Sequence, residues 1–249
     1  MPAAGAGAGI LTRMNLTIDL APTGVLRASI NLGNPVLAQG TPDEPSGVTV
    51  DLAQEFAGRL GVPLQLTCFS AARDSFDAMV HGKADLCFLA VDPAREGSVA
   101  FTAPYALIEG VYAVRVDSRL HTVADVDRAG VRVGVKAGSA YDLYLSRTLE
   151  QATVIRGSEG TEIFAAEQLE VAAGIRAPVE DFVAACGDLR VLEPQFMEIA
   201  QAVGTTRDRA PQTVAFLRSV VEELKASGFV ADSLHRSGRR DAVVAPAAL

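Results

Sequence analysis

The chain predicts an α/β protein in two lobes, each a mostly parallel sheet flanked by helices, with two strands crossing between them. Three observations carry this. Short apolar runs alternate with longer amphipathic ones from Leu26 onward, the pattern of β-α-β units around a parallel sheet. The alternation occurs twice, before and after an apolar run at residues 110–115. A length of 249 residues with 49% hydrophobic content suffices for one large domain or two small ones with real cores.

In order, residues 26–32 read as a strand. Residues 48–60 read as a helix, because Leu52, Phe56 and Leu60 recur at helical spacing and Gly61 stops the run. Residues 63–69 form a strand, 74–81 a helix ended by Gly82, and 86–91 a strand. Residues 110–115 make the first crossing. The second lobe then runs as strand 131–135, helix 140–151, strand 153–156, helix 161–168, strand 171–175 and helix 179–185. A strand near 190–192 and a return strand at 196–203 follow. Helices at 210–227 and 230–236 pack back on the first lobe. The expected division is lobe one at 16–109 and 204–249, lobe two at 110–203, and a flexible tail at 1–15. The C-terminal DAVVAPAAL also reads as a loose tail.

Residues 83–105, KADLCFLAVDPAREGSVAFTAPY, are the richest in chemistry. A buried strand ends at Asp92, which can cap backbone N–H groups, and Pro93 suits the first helical position. Arg95 is thereby placed on a helix N-terminus just past an apolar strand. A guanidinium fork, unpaired N–H groups and a helix dipole converge, and a carboxylate is the natural ligand. A surface salt bridge is the competing reading of Arg95.

This run resembles the amino-acid type of bacterial extracellular solute-binding proteins, family 3, in which a strand is followed by a Thr-Pro-Glu-Arg-like turn and a Phe-Ser-x-Pro-Tyr element. Here these are Asp92-Pro93-Ala94-Arg95 and Phe101-Thr102-Ala103-Pro104-Tyr105. Three more blocks agree in order: GVLR from Gly24, GVTVDLA from Gly47 and VRVGVKAGS from Val131. The resemblance implies a type II periplasmic-binding-protein-like clamshell that holds a small ligand between its lobes and passes it to an ABC-type permease. It implies Arg95 as the carboxylate anchor, with the N–H groups of Gly138 and Ser139 gripping the same group and Tyr141 lining the cleft. Ser139 as a plain helix cap and Tyr141 as a core residue are the competing readings.

The chain departs from the family where an amino acid's ammonium would be held. Asn31 stands at the first acid, and Arg176 (or Ile175) at the second, in Ile175-Arg176-Ala177-Pro178-Val179. Ala90 replaces a Ser/Thr five residues before Arg95, and Asn34 and Ala72 replace the sandwiching aromatics. A buried ammonium without a carboxylate is costly. The expectation is therefore a small organic anion bridged by Arg95 and Arg176, oriented by Asn31 and Asn34, with Arg73 at the rim. Glu109 is the one acid left to receive a cation; a solvated hinge residue is its competing reading, and a structural ion pair is that of Arg176.

Composition removes other classes. The formal charge is −8, and no basic run suggests a nucleic-acid partner. No apolar stretch approaches the ~20 residues of a membrane span. Cys68, Cys87 and Cys186 form no CxxC pair, and His81, His121 and His235 are scattered. No metal, cofactor or catalytic triad is expected, and the protein reads as a monomer. The family implies a periplasmic or extracytoplasmic location; the N-terminus shows no secretory pattern, so a cytoplasmic location is the alternative. Three functions follow: a transporter's solute-binding protein, an intracellular sensor or sequestering protein, and, least, a dehydratase with Glu109 as acid.

Overall fold

A computed structural model describes residues 13–238 and 242–248. Two compact units divide the chain. One takes Met1–Tyr105, Gln201–Arg239 and Val244–Leu249; the other takes Ala106–Ala200 and Arg240–Val243. The two long strands β6 (Val99–Arg115) and β10 (Leu189–Thr206) belong to both.

In the first unit, helix α1 (13–20) precedes β1 (Leu26–Asn31). A short pair, β2 (Gln39–Gly40) and β3 (Pro45–Ser46), leads to α2 (Val48–Leu60), β4 (Leu64–Phe69), α3 (Ala72–Val80), β5 (Leu86–Ala90) and α4 (Pro93–Glu96). β1 lies parallel to β4, Leu26 opposite Leu64 through Asn31 opposite Phe69, and parallel to β5 on its other side. β10 joins antiparallel to β5, with Gln201 opposite Ala90. α2 ends where Gly61 takes a left-handed φ of 70°, which costs glycine no steric clash. Helices α8 (Pro211–Ala226) and α9 (Phe229–Arg236) close the unit.

β5 is buried along its whole length, so Leu86, Cys87, Phe88 and Leu89 are apolar without alternation. At its start Asp85, 0% exposed, is held by a bidentate Arg27 fork at 2.8 and 2.9 Å and by Arg209 Nη2 at 2.9 Å. Two cations around one buried carboxylate offset its desolvation.

In the second unit β6 pairs antiparallel with β9 (Val171–Ile175), which lies parallel to β7 (Arg132–Lys136); β7 also lies parallel to β8 (Thr153–Gly157). Helices α5 (Ala140–Thr148), α6 (Gly160–Ala166) and α7 (Arg176–Cys186) cover this sheet. Val111, Phe164, Leu169, Ala172 and Val179 form its core. α6 lies so close that a Cβ on Gly160 would be 2.3 Å from Ala173 O. Only glycine allows that approach.

Several boundaries differ from expectation. α5 ends at Thr148 rather than 151, because the Asp127 carboxylate takes the N–H groups of Glu150, Gln151 and Ala152 at 2.7–3.1 Å. α7 begins at Arg176, three residues early. Pro178 is admitted there because first-turn N–H groups need no helical acceptor. The runs at 190–192 and 196–203 are one strand, and β6 begins at Val99. Of the expected tail at 1–15, residues 1–12 lie outside the described residues. The rest is helical, with Arg13 Nε donating to Leu60 O at 3.3 Å. Residues 242–248 of the expected C-terminal tail are docked rather than loose. Strand β11 (Val243–Val244) leads to Ala245, whose N–H donates to Tyr105 O at 3.1 Å, and Lys225 Nζ donates to Pro246 O at 2.7 Å.

Candidate functional site

In the first unit the carboxyl ends of β1 and β5 carry the anticipated residues. Asp92 is extended, and its Oδ1 accepts from Ala94 N–H at 2.9 Å. Its carbonyl accepts from the N–H groups of Arg95 and Glu96. α4 is thus a single capped turn, and the expected open helix N-terminus is absent. Arg95 is 3% exposed and folds back so that Nη1 donates to Ala90 O at 3.1 Å. Burial lowers its pKa, and the nearby Asp92 charge opposes that. A guanidinium this basic stays cationic. Burial pushes the adjacent Cys87 thiol up to about 12, so it is inert.

Asn31 and Asn34 shape the turn after β1. Asn31 Oδ1 accepts from Gly33 N–H at 3.1 Å, and Asn34 Oδ1 from Val36 N–H at 3.3 Å. A carboxamide braced through its oxygen presents its NH₂ as a donor. Arg73 is exposed and lies 3.4 Å from Asp74, a surface pair of small energetic weight.

In the second unit the anticipated grip at the start of α5 is occupied by the chain itself. Gly138 N–H donates to Asp142 Oδ2 at 2.8 Å, and Ser139 N–H to Lys136 O at 3.1 Å. Ser139 Oγ caps the helix by accepting from Asp142 N–H at 3.0 Å. Asp142, 3% exposed, also accepts from Ser146 Oγ and Arg156 Nε. Its carboxylate takes the place at the helix N-terminus expected for a ligand's. Tyr141 is buried, and that burial raises its pKa.

Arg176 opens α7 at the carboxyl end of β9. Its Nε donates to Glu109, Nη1 to Glu180 at 3.1 Å and to Glu193 at 2.6 Å, and Nη2 to Glu193 at 2.9 Å. Hydrogen bonds to Glu193, ahead of those to Glu109 and Glu180, raise the arginine's pKa, and Glu193 is lowered in turn. The expected second anion clamp is therefore a structural hub: one cation among three carboxylates, formally −2. Glu109 serves this hub as an acceptor.

Sequence reasoning missed Asp142, Glu180 and Glu193. Two had local signals: Ser139-x-x-Asp142 is a capping-box spacing, and Arg176 to Glu180 is i,i+4. Glu193 had none, since it reaches Arg176 from another strand. Among the described residues no group of three or more His, Cys, Asp or Glu side chains is placed to hold a metal, and no helix is long and apolar enough to cross a membrane.

Two α/β units joined by two long strands, with an arginine buried at a strand's carboxyl end, define a class of solute-binding proteins. The bacterial extracellular solute-binding proteins, family 3, match residues 30–236, and the chain belongs to that family. The amino-acid-binding protein AabA of Dichelobacter nodosus is 26% identical over 121 residues, 48% of this chain and 47% of that protein. The chain thus matches about half the length of this curated relative. A mutant of ArgBP from T. maritima superposes with TM-score 0.73 at 23% identity, covering 90% of this chain and 99% of that one. AbpA from Streptococcus pneumoniae, an amino acid ABC transporter substrate-binding protein bound to L-arginine, gives 0.72 at 19%, covering 88% and 96%. The binding component of an ABC transporter from Wolinella succinogenes complexed with lysine gives 0.70 at 19%, covering 86% and 94%. The fold is the type II periplasmic-binding-protein-like α/β fold.

Proposed function

We propose that this chain is a solute-binding protein that captures a small, carboxylate-bearing solute carrying a cationic group and delivers it to an ABC-type permease. The observation that carries the reading is Arg95, buried to 3% exposure at the carboxyl end of β5 in a member of this family. Strand carboxyl ends are where α/β sheets bind ligands, and a guanidinium fork matches a carboxylate. Asn31 and Asn34, from the turn after β1, are the neighbouring donors. The anion bridged by two arginines loses its second clamp, because Arg176 is enclosed by Glu109, Glu180 and Glu193. The arginine and lysine bound by two of the structural relatives support a solute that carries a cationic group.

A thermal-shift screen against amino acids, dicarboxylates and keto acids tests this. A ligand that binds only the folded state adds about 2.7 kcal/mol at a hundredfold excess over Kd. Cation-bearing amino acids should stabilise and dicarboxylates should not. Arg95→Ala should weaken the hit roughly a hundredfold, as loss of a buried charged partner does. An undiminished shift in Arg95→Ala sinks the anchor; a stronger response to dicarboxylates sinks the preference for a cationic group.

A further inference from the structure

We propose that the second unit holds a separate ligand site, for a small zwitterion with an aliphatic body, in a cavity at the amino ends of β7 and β9. These are the opposite ends of those strands from Lys136 and Ile175, and the site does not rest on the Arg95 reading. The cavity is about 360 Å³, within the roughly 300–1,000 Å³ of small-molecule pockets. Leu120, Val131 and Leu169 give it an apolar surface.

Two arginines fix its walls from behind. Arg190 Nη2 donates to Ser118 O at 3.2 Å and Leu120 O at 2.6 Å, holding the turn after β6. Arg132 Nη2 donates to Gln168 O at 2.7 Å, and its fork grips Glu170 at 2.8 and 2.9 Å, holding the turn before β9. Gln168, on the cavity wall, has φ 48°, the one positive φ outside glycine among the described residues. It is the left-handed residue that ends α6, with Leu169 N–H donating to Phe164 O at 3.0 Å, an ordinary helix C-terminal cap.

Its charges sort into used and unused. Arg115 pairs with Asp188 at 3.1 Å and lies 5.6 Å over the Phe164 ring; Glu170 is held by Arg132. Asp117 and Arg119, on one turn at the rim, have no ion pair or hydrogen-bonded side-chain partner among the described residues, including each other. An unengaged guanidinium takes a carboxylate, an unengaged carboxylate takes an ammonium, and the apolar surface takes an aliphatic chain.

The test is amide chemical-shift mapping of ¹⁵N-labelled protein, as wild type and as Arg95→Ala, titrated with L-leucine, hexanoate and hexylamine. Leucine should shift the Leu120, Val131 and Leu169 amides saturably in both proteins. Arg119→Gln and Asp117→Asn, each on an exposed turn, should weaken this about tenfold or more. Hexanoate and hexylamine, each lacking one charge, should bind more weakly by a similar factor. Absence of a saturable shift at these amides, full affinity in Arg119→Gln, or hexanoate binding as tightly as leucine would overturn the proposal. Failure of the Arg95 reading looks different, since it is read from the thermal shift in Arg95→Ala and leaves these three amides untouched.

Discussion

At the scale of single residues, two arginines of similar promise in the sequence have opposite surroundings. Arg95 is buried beside a carbonyl and Asp92. Arg176 is ringed by three glutamates, all of them substantially exposed. Exposed ion pairs are screened, so the hub is worth far less than its number of bonds suggests. Arg176→Ala should lower stability by about 1 kcal/mol at low salt, largely through repulsion among the carboxylates it leaves behind. Adding Glu193→Gln should recover part of that loss, and half-molar salt should shrink the whole effect. Urea unfolding at two ionic strengths measures it; a low-salt midpoint equal to wild type would show that Arg176 holds nothing. The hub lay beyond the reach of sequence reading because Glu109 and Glu193 come from two different strands, and no local pattern records a meeting made by tertiary structure.

Among the elements, α5 shows what a local motif does and does not reveal. Ser139 was legible as a cap because Ser before an amphipathic run satisfies a free N–H. Asp142 carries a local signal in its capping-box spacing from Ser139, but nothing local shows that its carboxylate also takes the Gly138 N–H. Strand and helix existence came through almost everywhere, since periods of 2 and 3.6 are written in the residues. Ends were less legible: α5 stops where Asp127, distant in sequence, collects three N–H groups. Ser139→Ala should cost about 1 kcal/mol, an ordinary cap loss. Asp142→Ala should cost more, roughly 2–3 kcal/mol, because it also leaves buried donors unsatisfied. Thermal melts of both variants check the order, and an Asp142→Ala protein as stable as Ser139→Ala would show that the carboxylate is not holding the helix start.

On the scale of the whole chain, the two-unit plan followed from an alternation that repeats after residue 110. Phe164 packs with Val111, Leu169, Ala172 and Val179 in the second unit, and Phe56 is fully buried in the first. What both units share is carboxylates held in the charged form. Backbone N–H groups of Thr122 and His121 hold Asp125 at about 2. Hydrogen bonds from the Ala152, Gln151 and Glu150 N–H groups lower Asp127. Arg132 lowers Glu170, Arg176 lowers Glu193 and Arg59 lowers Glu223. A depressed folded-state pKa contributes stability that is present above the unfolded value, about 4 for Asp and Glu. It is lost as pH falls through the folded value. In that window the unfolded chain binds more protons, so stability must rise with pH. Melting temperature should therefore be nearly flat from pH 7 to about 5 on account of these groups and fall steeply from about pH 4 toward 2. The arginine-paired carboxylates are screened by salt, whereas the carboxylates bonded to backbone N–H groups are less so. Raising the salt concentration should thus reduce the acid slope without removing it. An Asp127→Asn variant should lose part of that slope at any ionic strength. A melting temperature that holds constant from pH 5 to 2.5, or an acid slope abolished by salt, would show that these carboxylates do not govern the acid limit of the fold.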